Sequence, residues 1–142
     1  HLGEAELLTG DYNGFNFYFR RATDSDQLSE GDPLLGHTAF LQGTATQSGQ
    51  RIEFTAVIDV DENTQMVGGP FDLDVVSSSS QILQLEVHSR DPAEQDTLFD
   101  GLDFGLLDEN DDGVTMIEPG LTAHNLLMKT LIRHDHYGME VL

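Results

Sequence analysis

Between Arg51 and Val60 apolar and polar residues alternate so regularly that only an extended backbone can use the pattern. Ile52, Phe54, Ala56 and Ile58 fall on one side and Glu53, Thr55 and Asp59 on the other, with Val57 the one exception. Residues two apart share a face in a strand and scatter around a helix. The stretch His37 to Thr46 precedes it, and Gln47-Ser48-Gly49-Gln50 lies between the two. A Ser-Gly pair suits a tight turn that needs positive φ, so the whole segment reads as a β-hairpin.

The same period recurs elsewhere. Phe15, Phe17 and Phe19 alternate with Asn16, Tyr18 and Arg20, as in a half-buried strand. Phe71, Leu73 and Val75 alternate with Asp72 and Asp74. A turn at Ser77 to Ser80 would return the chain through Ile82, Leu83, Leu85 and Val87 as a third hairpin. The acidic stretch Asp59 to Asn63 reads as a hairpin tip. From Asp91 the texture changes: Asp91-Pro92 opens a loop or short helix, and Leu98, Phe99, Leu102, Phe104, Leu106 and Leu107 are apolar anchors among acids.

Thr122 to Arg133 is predicted as a helix, with Thr122 as N-cap and His124, Leu127, Met128 and Leu131 along one stripe. A strand through Leu126, Met128, Thr130 and Ile132 competes for the same residues. Tyr137 to Leu142 closes as a short strand. At 142 residues the chain fits one domain. The expected fold is mainly β: a single antiparallel β-sandwich over residues 1–142 with one C-terminal helix.

Charge narrows the partners. The chain carries 26 acids against 6 Lys plus Arg, for a formal net charge of −20, and Lys129 is its single lysine. A field of that sign repels nucleic acid and anionic membrane surfaces and draws cations and basic proteins. No apolar run approaches the roughly 20 residues of a membrane span, so membrane insertion is not expected. With no cysteine, disulfides, thiolate metal sites and thiol catalysis are excluded together. The acid-rich, lysine-poor profile leads to an expectation of an extracytoplasmic protein, secreted or in the cell envelope, from a saline habitat. His1 at the start is read as a mature terminus or a tag remnant.

Asp108 to Glu118 gathers the chemistry of a hard cation. Asp108, Asn110 and Asp112 sit at alternate positions, Gly113 follows, Val114 offers a carbonyl and Glu118 returns an acid. Calcium takes six to eight oxygens from a backbone that can curl around it. The segment resembles the wider class of Asp-x-Asn-x-Asp-Gly calcium loops. It departs from the EF-hand pattern in placing Pro119 where the last, bidentate acid belongs, and no convincing helix is expected before Asp108. An acidic surface turn explains the same residues, since Asn, Asp and Gly belong in turns.

A second metal chemistry lies near the end of the chain. His124, His134 and His136 fall there together with Met128 and Met139, and imidazole with thioether suits copper. His134 and His136 would share a face if their backbone is extended. His1 adds a further copper ligand, through its amine and imidazole, in the manner of copper proteins with a β-sandwich. Core packing for Met128 and a solvated turn at His134-Asp135-His136 are the plainer readings. No Gly-x-Ser-x-Gly, P-loop or His-Glu-x-x-His motif appears, and paired carboxylates cannot be singled out among so many acids. The expected function is therefore a non-enzymatic, secreted or cell-envelope metal-binding domain, with a structural calcium loop at Asp108 to Glu118 that braces the join between the sandwich and the C-terminal helix. A copper-binding or copper-delivery protein is the alternative. A carbohydrate-active or carbohydrate-binding module, with Tyr12 and Tyr18 as stacking residues, is the third.

Overall fold

The computed structural model describes residues 6–62, 64–77, 80–91 and 93–142, without the side chains of Val67 and His134. The chain is mainly β, and most of its strand pairs are antiparallel. Strands β1 (Gly10–Tyr12), β2 (Asn16–Tyr18), β3 (Ala39–Gln47), β4 (Gln50–Ile58), β5 (Gln65–Val67), β6 (Leu73–Val75) and β7 (Leu83–Val87) come first. Helix α1 (Phe104–Leu107), β8 (Val114–Ile117), helix α2 (Thr122–Leu131) and β9 (Tyr137–Val141) follow. They form four small sheets among the described residues: β1 with β6, β2 with β5, β7 with β9, and β3-β4-β8.

The expected central hairpin is present, with Gln47 opposite Gln50 and Ala39 opposite Ile58. Ser48 and Gly49 both take positive φ, 52° and 83°, as a two-residue turn between right-twisted strands requires. The alternation does its work on β4: Ile52, Ala56 and Ile58 are fully buried, and Phe54 nearly so. Against them pack Ile117 from β8, Ala123, Leu127 and Leu131 from α2, and Leu98 and Phe104. Val57, the exception to the alternation, is also buried. A second apolar region joins sheets through aromatic rings: the Phe17 ring centre lies 4.7 Å from that of Tyr137, and Phe17 stacks on Phe15 and meets Phe19 edge to face.

Several expectations are corrected. Phe71 to Val87 is not a hairpin: β6 pairs with β1, and β7 with β9. The serine run has no glycine or asparagine to make a primed turn, and Ser78 and Ser79 lie outside the described residues. Strand β7 instead sets Leu83, Leu85 and Val87 opposite Val141, Met139 and Tyr137, apolar pairs that fix its register. Strand β8 runs parallel to β4, with Glu53 opposite Val114, so the main sheet is mixed. The segment after β4 turns at Asp61, whose carbonyl accepts the Thr64 N–H at 3.1 Å, and leads to another sheet. Asn63 lies outside the described residues.

The late helix forms where the periodicity placed it, and the competing strand does not. Thr122 is its first helical residue and Leu121 its N-cap, without a side-chain cap. Gly120, at φ +100°, turns the chain sharply enough that Leu121 already takes the extended cap conformation. One turn of helix, α1, does precede Asp108, held by the Asp103 carboxylate accepting the Leu106 N–H. No helix among the described residues is long and apolar enough to cross a membrane.

Candidate metal centre

The loop Asp108 to Glu118 is closed by its own hydrogen bonds. Asp108 is 2 % exposed and faces inward. Its carboxylate accepts the N–H groups of Asp112 at 3.1 Å and Gly113 at 2.9 Å, and Gln50 Nε2 at 3.2 Å from the start of β4. Asp112 turns back on the loop as well, accepting Val114 N–H and Asn110 Nδ2, both at 2.9 Å. Asp111 sits at φ +55° and Gly113 at +79°, left-handed positions suited to Asp and Gly. Glu118 is exposed beyond the end of β8, where its carbonyl accepts the Leu121 N–H.

The histidines and methionines are placed by their packing. His124 is buried, and its Nε2 accepts the Asp59 N–H at 3.0 Å, so that nitrogen anchors α2 to the end of β4. Met128 packs against the core and Met139 lies in β9 opposite Leu85. The backbone at His134–His136 is a 3-10 helix and not extended. The extended backbone that a shared face would need is therefore absent there. The turn follows from what ties its ends: Arg133 binds Asp135 at 2.6 Å, and His136 is drawn inward to His88. His1 lies outside the described residues. Tyr18 is exposed, while Tyr12 is half-buried and donates to the Leu8 carbonyl.

Donor side chains gather elsewhere. Among the described residues one group of three or more metal-donor side chains has its ligand atoms all within 4.8 Å of one another: Asp91, Glu94 and Asp96. The loop that carries them is pinched by the Arg90–Thr97 bridge and by the Asp91 N–H donating to the Asp96 carbonyl at 2.9 Å. Asp91, 2 % exposed, accepts the N–H groups of Ala93 at 2.7 Å and Glu94 at 3.1 Å. The Ala93 bond is the chief reason its carboxyl lies below the ordinary range. Burial opposes that shift, and Glu94 N–H, His136 and Arg133 add to it.

Arg133, just past α2, ties the group together by binding Asp96, Glu94 at 3.3 Å and Asp135 at 2.6 Å. Two carboxylates 4.8 Å apart repel by about 1 kcal/mol in water and about 3 kcal/mol at an intermediate dielectric. A single guanidinium among Asp91, Glu94, Asp96 and Asp135 leaves a strong excess of negative charge.

Three polar atoms around this node are buried without a hydrogen-bond partner: Asp96 Oδ1, Asp135 Oδ1 and His136 Nε2. His136 is fully buried, and its Nδ1 lies 3.0 Å from the His88 carbonyl, which can only accept. Nδ1 therefore carries the proton and the Nε2 lone pair is bare in the neutral ring. The His88 N–H donates in return to the His136 carbonyl at 2.8 Å, so the ring position is set from both sides.

Sequence reasoning passed over Asp91, Glu94 and Asp96. The Asp-x-x-Glu-x-Asp spacing around Pro92 is the only local signal, and it does not stand out from the other acids. No protein-family model matches the chain, and no curated protein or solved structure matches it either.

Proposed function

We propose that this protein is a cation-binding domain whose ion is held at Asp91, Glu94 and Asp96. The observation that carries the reading is the convergence of these three carboxylates with one oxygen, Asp96 Oδ1, buried and unpartnered. All-oxygen donors favour a hard divalent cation of the calcium class. Arg133 competes for Glu94 and Asp96, and Glu94 is exposed, which places affinity at the weak end, on the order of 10⁻⁴–10⁻³ M. Sites of that strength serve extracellular modules, in keeping with an extracytoplasmic protein. The loop Asp108 to Glu118 then acts as a structural turn. Support for a sandwich-like scaffold closed by the C-terminal helix comes from α2 on β4 and from the Phe17–Tyr137 contact between sheets.

Calorimetric titration with calcium tests the reading. Wild type and Asp108→Asn should bind one ion, and Asp96→Asn should not. No heat in wild type would sink the proposal, and binding lost in Asp108→Asn but kept in Asp96→Asn would move the ion to the 108–118 loop. A second reading rests on His136. An imidazole that donates Nδ1–H to a carbonyl and bares Nε2 has the posture of a transition-metal ligand. Zinc or copper binding abolished by His136→Gln, with calcium ignored, would select it.

A further inference from the structure

The outer edge of β8 has no sheet partner among the described residues. Strand β8 ends the order β3-β4-β8 and pairs with β4 alone among the described residues. The Glu53 N–H donates to the Gly113 carbonyl at 2.8 Å, which sets the phase of the ladder. In a parallel pair alternate residues bond one neighbour, so Gly113, Thr115 and Ile117 turn their main chain to β4. Val114 and Met116 turn theirs to the open edge. Asp112 already accepts the Val114 N–H, which leaves the Val114 carbonyl and both polar groups of Met116 facing outward.

Proteins usually protect such an edge with lysine, proline or a bulge. Here Val114 and Met116 are instead 58 % and 54 % exposed, and a shallow groove beside them is floored by Leu107 and Leu121. The rim is acidic. Glu109 lines that groove, Glu53 lines the one on the other side of Val114, and Glu118 follows β8. Arg51 stands near, 71 % exposed and only loosely paired with Glu53 at 3.7 Å.

We propose that the β8 edge docks an extended segment of a partner chain bearing alternate basic and apolar residues, added as an antiparallel strand that exchanges both main-chain bonds with Met116. Main-chain bonds supply the pairing, Val114 and Met116 the apolar contacts, and the acidic rim the choice of a basic partner. A second copy of this chain would set the same acids against themselves, on a molecule of net charge −20.

The test uses the whole protein and a synthetic peptide of alternating lysine and valine, at physiological salt. The peptide should bind, and hydrogen exchange at the Met116 amide should slow on binding. The same peptide N-methylated at alternate residues should bind about tenfold more weakly or worse, as loss of one or two main-chain bonds to it implies. A glutamate–valine peptide should not bind. Met116→Pro removes the outward N–H without touching the β4 ladder and should abolish binding. Should that variant not fold, Met116→Lys keeps the main chain and should still weaken the lysine peptide severalfold. Equal binding of the N-methylated peptide, or unchanged exchange at Met116, overturns the proposal. So does a dimer in sedimentation that Met116→Pro dissolves, because the occupant would then be a second copy.

Discussion

Replacing Asp108 by alanine separates a turn anchor from a metal ligand. In the structure its carboxylate satisfies, in part-buried bonds, two backbone donors, Asp112 N–H and Gly113 N–H, and one side-chain donor, Gln50 Nε2. Gln50 is at an exposed position and can turn to water, so its loss contributes little. Each of the two backbone donors left without a partner costs about 1–3 kcal/mol, less where water can enter. The expected destabilisation is about 2–4 kcal/mol. Asp108→Asn keeps one acceptor oxygen and should lose about half of that. With a urea slope of about 1–3 kcal/mol per molar for a small domain, the Asp108→Ala midpoint should fall by about 1 M or more at unchanged slope. Circular dichroism measures it, once with chelator and once with calcium in excess. The loss should be the same in both. A variant within about 0.5 kcal/mol of wild type in chelator, or one destabilised only when calcium is present, would refute the structural role.

Gly43→Ala should destabilise by about 1–3 kcal/mol, because its Cβ would meet Phe54 Cε1 and Cζ at 3.0 Å while Phe99 and Phe104 hold that ring in place; denaturant unfolding checks it. Stability should fall as pH drops below the ordinary carboxyl value of 3.8, because Asp91 and Asp100 are depressed in the fold and their contribution is present only while they stay ionised. In a thermal-melt series Asp91→Asn should be less stable at neutral pH and lose less on acidification. Burial raises the Tyr137 phenol above its ordinary 10.0, so the contribution from its neutral form holds below pH 10.0 and is lost above it. Tyr137→Phe should flatten that alkaline limb, at the expense of about 1 kcal/mol for the bond its hydroxyl donates to the Leu131 carbonyl.

Local physics wrote the parts of the fold that the sequence makes legible. Alternation on β4 placed Ile52, Phe54, Ala56 and Ile58 inside, and Ser48-Gly49 specified its turn, because a two-residue connection leaves few other solutions. The helical period from Thr122 to Leu131 survived its competitor because Ala123, Leu127 and Leu131 meet a ready apolar face on β4. Strands β1, β5, β6, β7 and β9 are short and find distant partners, and pairing across such separations leaves no local mark. The 108–118 residues were singled out by spacing alone. Spacing does not distinguish oxygens aimed at an ion from oxygens taken up by Asp112, Gly113 and Val114 N–H groups. Asp91, Glu94 and Asp96 carry no such mark: Arg133, which pairs with Glu94 and Asp96, comes from far along the chain.

The order of the main sheet also sets an order of events in folding. Strands β3 and β4 close over the two residues Ser48 and Gly49, whereas β8 reaches β4 only after the chain from 59 to 113 has looped back. On a logarithmic scale of loop closure that return costs about 3 kcal/mol more entropy than the hairpin turn. A nascent hairpin therefore waits with one edge of β4 bare, at the stage when a chain is most prone to join its neighbours. The residues that flank the waiting edge are Arg51, Glu53 and Thr55, and a charged pair there makes a poor template for another apolar strand. The surplus of negative charge, whatever it attracts in the finished molecule, keeps unfinished copies apart.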